Sequence, residues 1–91
     1  MHDGTIIEAN KNIFFNRIDD EIVMMDEAQG KYYSLNPVAS RIFEIVQQKC
    51  SFRQLLDQLL SEYEITEEEC KTQTIVFLND LKSKNLIFID E

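Results

Sequence analysis

Two periodicities divide the chain. Up to residue 35 the apolar positions come in short runs separated by turn-forming residues. Beyond Pro37 they recur every three or four residues, the spacing of a helix face. Ile13-Phe14-Phe15 and Glu21-Ile22-Val23-Met24-Met25-Asp26 are runs of strand length, and Thr5-Ile6-Ile7 is a weaker candidate before them. Glu27-Ala28-Gln29-Gly30 carries turn chemistry, with Gly30 free to adopt a positive φ. Lys31-Tyr32-Tyr33-Ser34-Leu35 follows as a strand rich in aromatics. Residues 21–26 and 31–35 are therefore predicted as a hairpin, with Ile13 to Asn16 as a third antiparallel strand.

Asn36-Pro37 ends the sheet, since asparagine caps helices well and proline suits the first helical position. Val38, Ile42, Ile45 and Val46, flanked by Ala39 and Phe43, form the broad apolar face of a first helix. Ser51 with Gln54 three residues on has capping-box spacing and opens a second, whose face is Leu55, Leu56, Leu59, Leu60 and Tyr63. Thr66 with Glu69 opens a third, and Glu67, Glu68 and Glu69 in its first turn suit the helix dipole. Its core stripe reads Cys70, Thr74, Phe77, Leu78, Leu81, and Leu86 to Ile89 is a short closing strand. The expected fold is α+β and winged-helix-like: a three-stranded antiparallel N-terminal sheet followed by three helices and a short C-terminal strand. With no linker, repeat or low-complexity segment, residues 1–91 are expected to form a single domain.

Charge narrows the function. Seventeen acids against nine bases give a net charge of −8. Asp57 to Cys70 contains six acids and no lysine or arginine before Lys71. Nucleic acid needs a basic face to neutralise its phosphates, so it is not the expected partner; a neutral or basic polypeptide fits better. Chemistry is equally poorly provided for. The one histidine, His2, stands at a terminus expected to fray, which leaves no base for a nucleophile. Two distant glycines, Gly4 and Gly30, make no phosphate loop. Cys50 and Cys70 have neither disulfide nor metal-ligand spacing and read as buried free thiols of a cytoplasmic protein. No catalysis, metal or cofactor is expected, and no apolar run is long enough to cross a membrane.

Two features exceed what a core requires. In the strand Lys31 to Leu35, Tyr33 and Leu35 share one face while Tyr32 and Ser34 share the other, so both faces are partly apolar. At the edge of a sheet such a strand is a template for another, and only Lys31 blunts it. On the third helix, Val76 lies outside the core stripe, on the side of Gln73, Asp80 and Lys84, and Ile75 lies outside it on the other side. Isolated surface apolar residues are common; beside an open strand edge, Val76 becomes part of one wall of a groove. The mode this implies is β-augmentation, in which a peptide adds a strand and its side chains fill pockets.

These residues carry a resemblance. Asp20 to Asp26, Gly30-Lys31-Tyr32-Tyr33-Ser34-Leu35-Asn36, Ala39 to Val46 and Phe77-Leu78-Asn79-Asp80-Leu81 followed by Leu86-Ile87 resemble the PqqD-like family of RiPP recognition elements. Within it the chain looks most like the stand-alone leader-peptide-binding proteins of lasso-peptide biosynthesis, over about residues 12 to 89. The resemblance implies a non-enzymatic module that docks the leader of a ribosomally made precursor along Lys31, Tyr32, Tyr33, Ser34 and Leu35. The facing helix positions are Gln73, Val76, Phe77, Asp80 and Lys84. A tyrosine and a proline of the leader would enter an apolar pocket of Tyr33, Leu35, Val76 and Phe77. Ile75 and Val76 are larger than the small residues frequent there in the family.

The same resemblance implies a second partner, a leader peptidase or another modifying enzyme. Two alternatives stand beside this reading. One is a winged-helix DNA-binding regulator, for which the third helix has the wrong sign of charge: Lys71, Lys82 and Lys84 against Glu67, Glu68, Glu69 and Asp80. The other is an accessory subunit of a different peptide-modifying enzyme. A monomer is the expected state.

Overall fold

The computed structural model describes residues 1–91. Its elements are β1 (Ile6–Ala9), β2 (Ile13–Ile18), β3 (Glu21–Asp26), β4 (Lys31–Leu35), α1 (Pro37–Ile45), β5 (Cys50–Ser51), α2 (Phe52–Glu62), α3 (Glu67–Ser83) and β6 (Ile87–Asp90). The antiparallel sheet β2-β3-β4 forms as the pattern predicts, with β4 at one edge. Asp19, with φ 56°, makes the tight β2–β3 turn, a left-handed conformation that aspartate tolerates. Gly30 takes φ 65° in the β3–β4 turn, where Asp26 Oδ1 also accepts from the Ala28 and Gln29 N–H groups.

The N-terminal residues depart from expectation. Thr5 is buried and Ile6–Ala9 is a full strand, β1, at the centre of a second sheet ordered β5-β1-β6. The closing strand therefore pairs with β1, Ile7 opposite Ile89 and Ala9 opposite Ile87, and not with the hairpin sheet. β5 is two residues long, too short to show a period, and its Ser51 also caps α2. Nor does His2 fray: its N–H donates to Thr5 Oγ1 at 2.9 Å, and Thr5 N–H returns a bond to the His2 carbonyl at 3.0 Å. The Met1 side chain packs against the core.

Each helix starts where its cap stands. Asn36 Oδ1 accepts from Ala39 N–H at 2.8 Å, Ser51 and Gln54 make a reciprocal capping box, and Thr66 Oγ1 accepts from Glu69 N–H. α3 ends in a Schellman arrangement: Leu86 N–H bonds Leu81 O, Asn85 N–H bonds Lys82 O, and Asn85 sits at φ 59°. That turn reverses the chain and delivers Leu86 and Ile87 into the core.

The core is a cluster of 19 buried residues. α1 covers the inner face of β2-β3-β4, contributing Ile42 and Phe43 against Ile22, Met24 and Leu35. The Phe43 ring meets Phe15 edge-on at 5.3 Å. Ser40, buried on the same helix, donates its hydroxyl to Leu35 O and accepts from Ile22 N–H, so one side chain ties α1 to two strands. Phe52, Leu55, Leu56 and Leu59 of α2 and Cys70, Thr74, Leu78 and Leu81 of α3 complete the interior. Phe77, expected in the core stripe, and Ile75, expected outside it, are both partly buried and both pack against the core. The opposite face of the hairpin sheet is open, with Phe14, Ile18 and Tyr32 more than half exposed.

Candidate functional site: the open edge of β4 and the facing stripe of α3

β4 is hydrogen-bonded on one side only. Its register pairs Leu35 with Ile22, Tyr33 with Met24 and Lys31 with Asp26, which puts Tyr33 and Leu35 on the inner face. Tyr32 and Ser34 point the other way, and Tyr32 is 73% exposed. Along the far edge, alternate residues of the strand hold N–H and C=O groups without a strand partner. This is the chemistry that accepts another extended chain.

The two predicted walls come together at Tyr33. Lys84, in the C-cap of α3, places its ammonium 5.6 Å from the centre of the Tyr33 ring and bonds Asp80 Oδ2 at 2.9 Å. Gln73, Phe77, Asp80 and Lys84 recur every three or four residues and so make one stripe along α3. Val76 stands one step further round the helix, 63% exposed, and forms the outer lip of this stripe. Leu35 differs from expectation: its side chain is 4% exposed and belongs to the core beneath α1. Only its backbone is available at the strand edge.

At the other end of the stripe the structure adds what sequence reasoning missed. Gln73 and Phe77 line a cavity of about 210 Å³ together with Thr74 and Cys70 of α3, Leu59 of α2, Tyr63 at the C-cap of α2, and Val38 of α1. Glu64 and Ile65, in the loop between α2 and α3, close its rim. Val38 stands in the first turn of α1, three residues after Leu35, the last residue of β4. The residue pattern reads Tyr63 as the last position of the second helix's apolar face and does not single out Ile65; nothing local places them opposite Val38.

The ionisable groups near the groove are pairing and packing groups. Arg41 holds Glu62 by two hydrogen bonds of 2.7 and 2.6 Å, and this pairing lowers the Glu62 carboxyl to about 2. Burial raises the Cys50 thiol, which makes it a poor nucleophile; Cys50 is half-buried and Cys70 buried, both free. No three His, Cys, Asp or Glu side chains are grouped to hold a metal ion, and no helix is long and apolar enough to cross a membrane. What the arrangement can do is bind an extended peptide: a strand edge for its backbone, an aromatic and a cation beside it, and an apolar cavity for a side chain.

Comparison with known proteins agrees in fold. TbiB1, solved in complex with the TbiA(beta) leader peptide, superposes with a TM-score of 0.81 at 25% identity, over 88% of this chain and 93% of that one. A lasso peptide synthetase B1 complexed with its leader peptide shares the fold at 22% identity, with a TM-score of 0.77 over 90% and 96% of the two chains. No curated protein sequence matches the chain. Residues 21–87, from the first residue of β3 to the first of β6, match the family described as coenzyme PQQ synthesis protein D. The chain belongs to the PqqD family and has the fold of its RiPP recognition elements.

Proposed function

We propose that this protein is a non-enzymatic recognition module that binds the leader region of a ribosomally synthesised precursor peptide. The leader adds as a strand to the open edge of β4, and its side chains occupy the groove between β4 and α3. One observation carries the reading: β4 has a free hydrogen-bonding edge, and the Tyr33–Lys84 contact sets the stripe of α3 alongside it. The likeness to two solved chains that each hold a leader peptide supports it.

Energetics are consistent with that task. Burying a tyrosine- or leucine-sized anchor stabilises the complex by about 1.5–3 kcal/mol, whereas ordering a disordered leader costs about 2–5 kcal/mol. A single anchor therefore does little more than offset the ordering, and submicromolar binding needs the backbone bonds along β4 as well. The module then delivers the precursor to a leader peptidase of lasso-peptide biosynthesis, acting as a cytoplasmic monomer where the precursor is made. Service to another peptide-modifying enzyme is the alternative assignment of that second partner.

The test is a fluorescence-polarisation titration with the labelled leader of the precursor encoded beside this chain. The expected result is a one-to-one, submicromolar isotherm that a scrambled leader fails to reproduce. No binding at tens of micromolar would sink the proposal and favour an enzyme-bound subunit.

A further inference from the structure

The groove is electrically uneven along its length. Lys84 sits over Tyr33 in β4, whereas Gln73 and Phe77, nearer the middle of α3, share a cavity with Val38 beyond the end of β4. Passing along the chain from Tyr33 to Val38 thus runs down α3 from Lys84 toward Gln73, and the groove has two distinguishable ends. At the Lys84 end the charges along the groove are Lys31, Lys84 and Asp80, and exposed Lys11 and Glu27 share a hollow with Asn85, next to Lys84; Asp26, opposite Lys31, is buried and its carboxylate accepts from the turn amides. The Asp80–Lys84 pair is an exposed contact one helical turn apart, a kind that exchanges readily for another carboxylate. At the cavity end stand Glu64, on the rim, and Glu69, one turn before Gln73 on the same stripe. Neither takes part in any ion pair of the molecule.

Resting on the leader-binding reading above, we infer that the groove selects its peptide by charge order. It takes an extended segment with a large apolar anchor in the cavity, a basic residue beside that anchor facing Glu64 and Glu69, and an acidic residue facing Lys84. The spacing follows from the two elements. Gln73 and Lys84 are about 16 Å apart along the helix axis at its rise per residue, a span that about five residues of extended chain cover. Opposite charge at each end favours one direction of the peptide and penalises the other, which is how charged rims select partners. A net charge of −8 makes the acid-binding end the discriminating one, because elsewhere the molecule repels carboxylates.

Four fluorescein-labelled dodecapeptides test this. Each has a tyrosine anchor with one charge beside it and the opposite charge five residues away, the distant charge lying N-terminal or C-terminal. In each direction one peptide carries lysine beside the tyrosine and glutamate at a distance, and the other reverses them. In one direction the lysine-beside-tyrosine peptide should bind at least tenfold tighter than its charge-reversed counterpart. That difference should shrink at about 0.5 M salt, where screening shortens to a few ångströms. Lys84→Gln should reduce the preference, and the Glu64→Lys, Glu69→Lys double variant should reverse it. Equal binding of both charge orders at low salt overturns the inference and leaves the groove reading intact. Binding of none of the four overturns it too, and if the precursor leader also fails to bind, the groove reading falls with it.

Discussion

Ser40 shows how much of the site depends on one hydroxyl. It is fully buried, donates to Leu35 O at 3.0 Å and accepts from Ile22 N–H at 2.8 Å, so it sets the end of β4 against both α1 and β3. Ser40→Ala would leave the Ile22 N–H buried without this partner, a loss of about 1–3 kcal/mol. A urea titration of the two proteins should show that loss as a lower midpoint with an unchanged slope. Arg41 and Glu62 act at the same scale but through charge. Glu62 titrates near 2 in the folded chain against 4.5 for an ordinary glutamate, so the unfolded state binds its proton first as pH falls. The pair's contribution is complete above about pH 4.5 and is lost as pH drops toward 2. Arg41→Gln should flatten the dependence of the urea midpoint on pH across that window, with little change in midpoint at the low end.

At the scale of elements, the proposed site joins the β4 edge to the α3 stripe, and neither provides it alone. Tyr33→Ala removes the ring that receives Lys84, and Val76→Asp puts a carboxylate on the outer lip. Each should weaken leader binding at least tenfold in titration calorimetry while the far-ultraviolet circular dichroism is retained. Unchanged affinity in both would show that the groove lies elsewhere. The elements themselves were legible because their signals are local. Asn36-Pro37, Ser51 with Gln54, and Thr66 announce three helix starts through hydrogen bonds made within four residues. The hairpin was legible because a run bounded by charges faces an aromatic run across Gly30. β1 was read weakly and β5 not at all, since each depends on a partner distant in sequence: Ile7 pairs with Cys50 on one side and Ile89 on the other.

For the whole molecule, a ligand that binds only the folded state stabilises it by mass action. Leader peptide at a hundredfold excess over Kd should stabilise the fold by about 2.7 kcal/mol. For a domain of this size that is a rise in Tm of about 10 °C or more. A thermal-shift series against peptide concentration checks it, and a flat series at saturating peptide would contradict one-to-one binding to the native state. The fold class, the three caps, the edge-prone strand and the unfavourable charge for nucleic acid followed from the order of residues alone, because each rests on spacing within a few positions or on a sum over the chain. The tertiary structure decided the rest. It buried Leu35, packed Ile75 as well as Phe77 against the core, brought Val38, Tyr63 and Ile65 around one cavity, and set Lys84 over Tyr33. Those outcomes depend on how the helices pack and where the strands end, and contacts between residues 25 to 51 positions apart leave no local period to read.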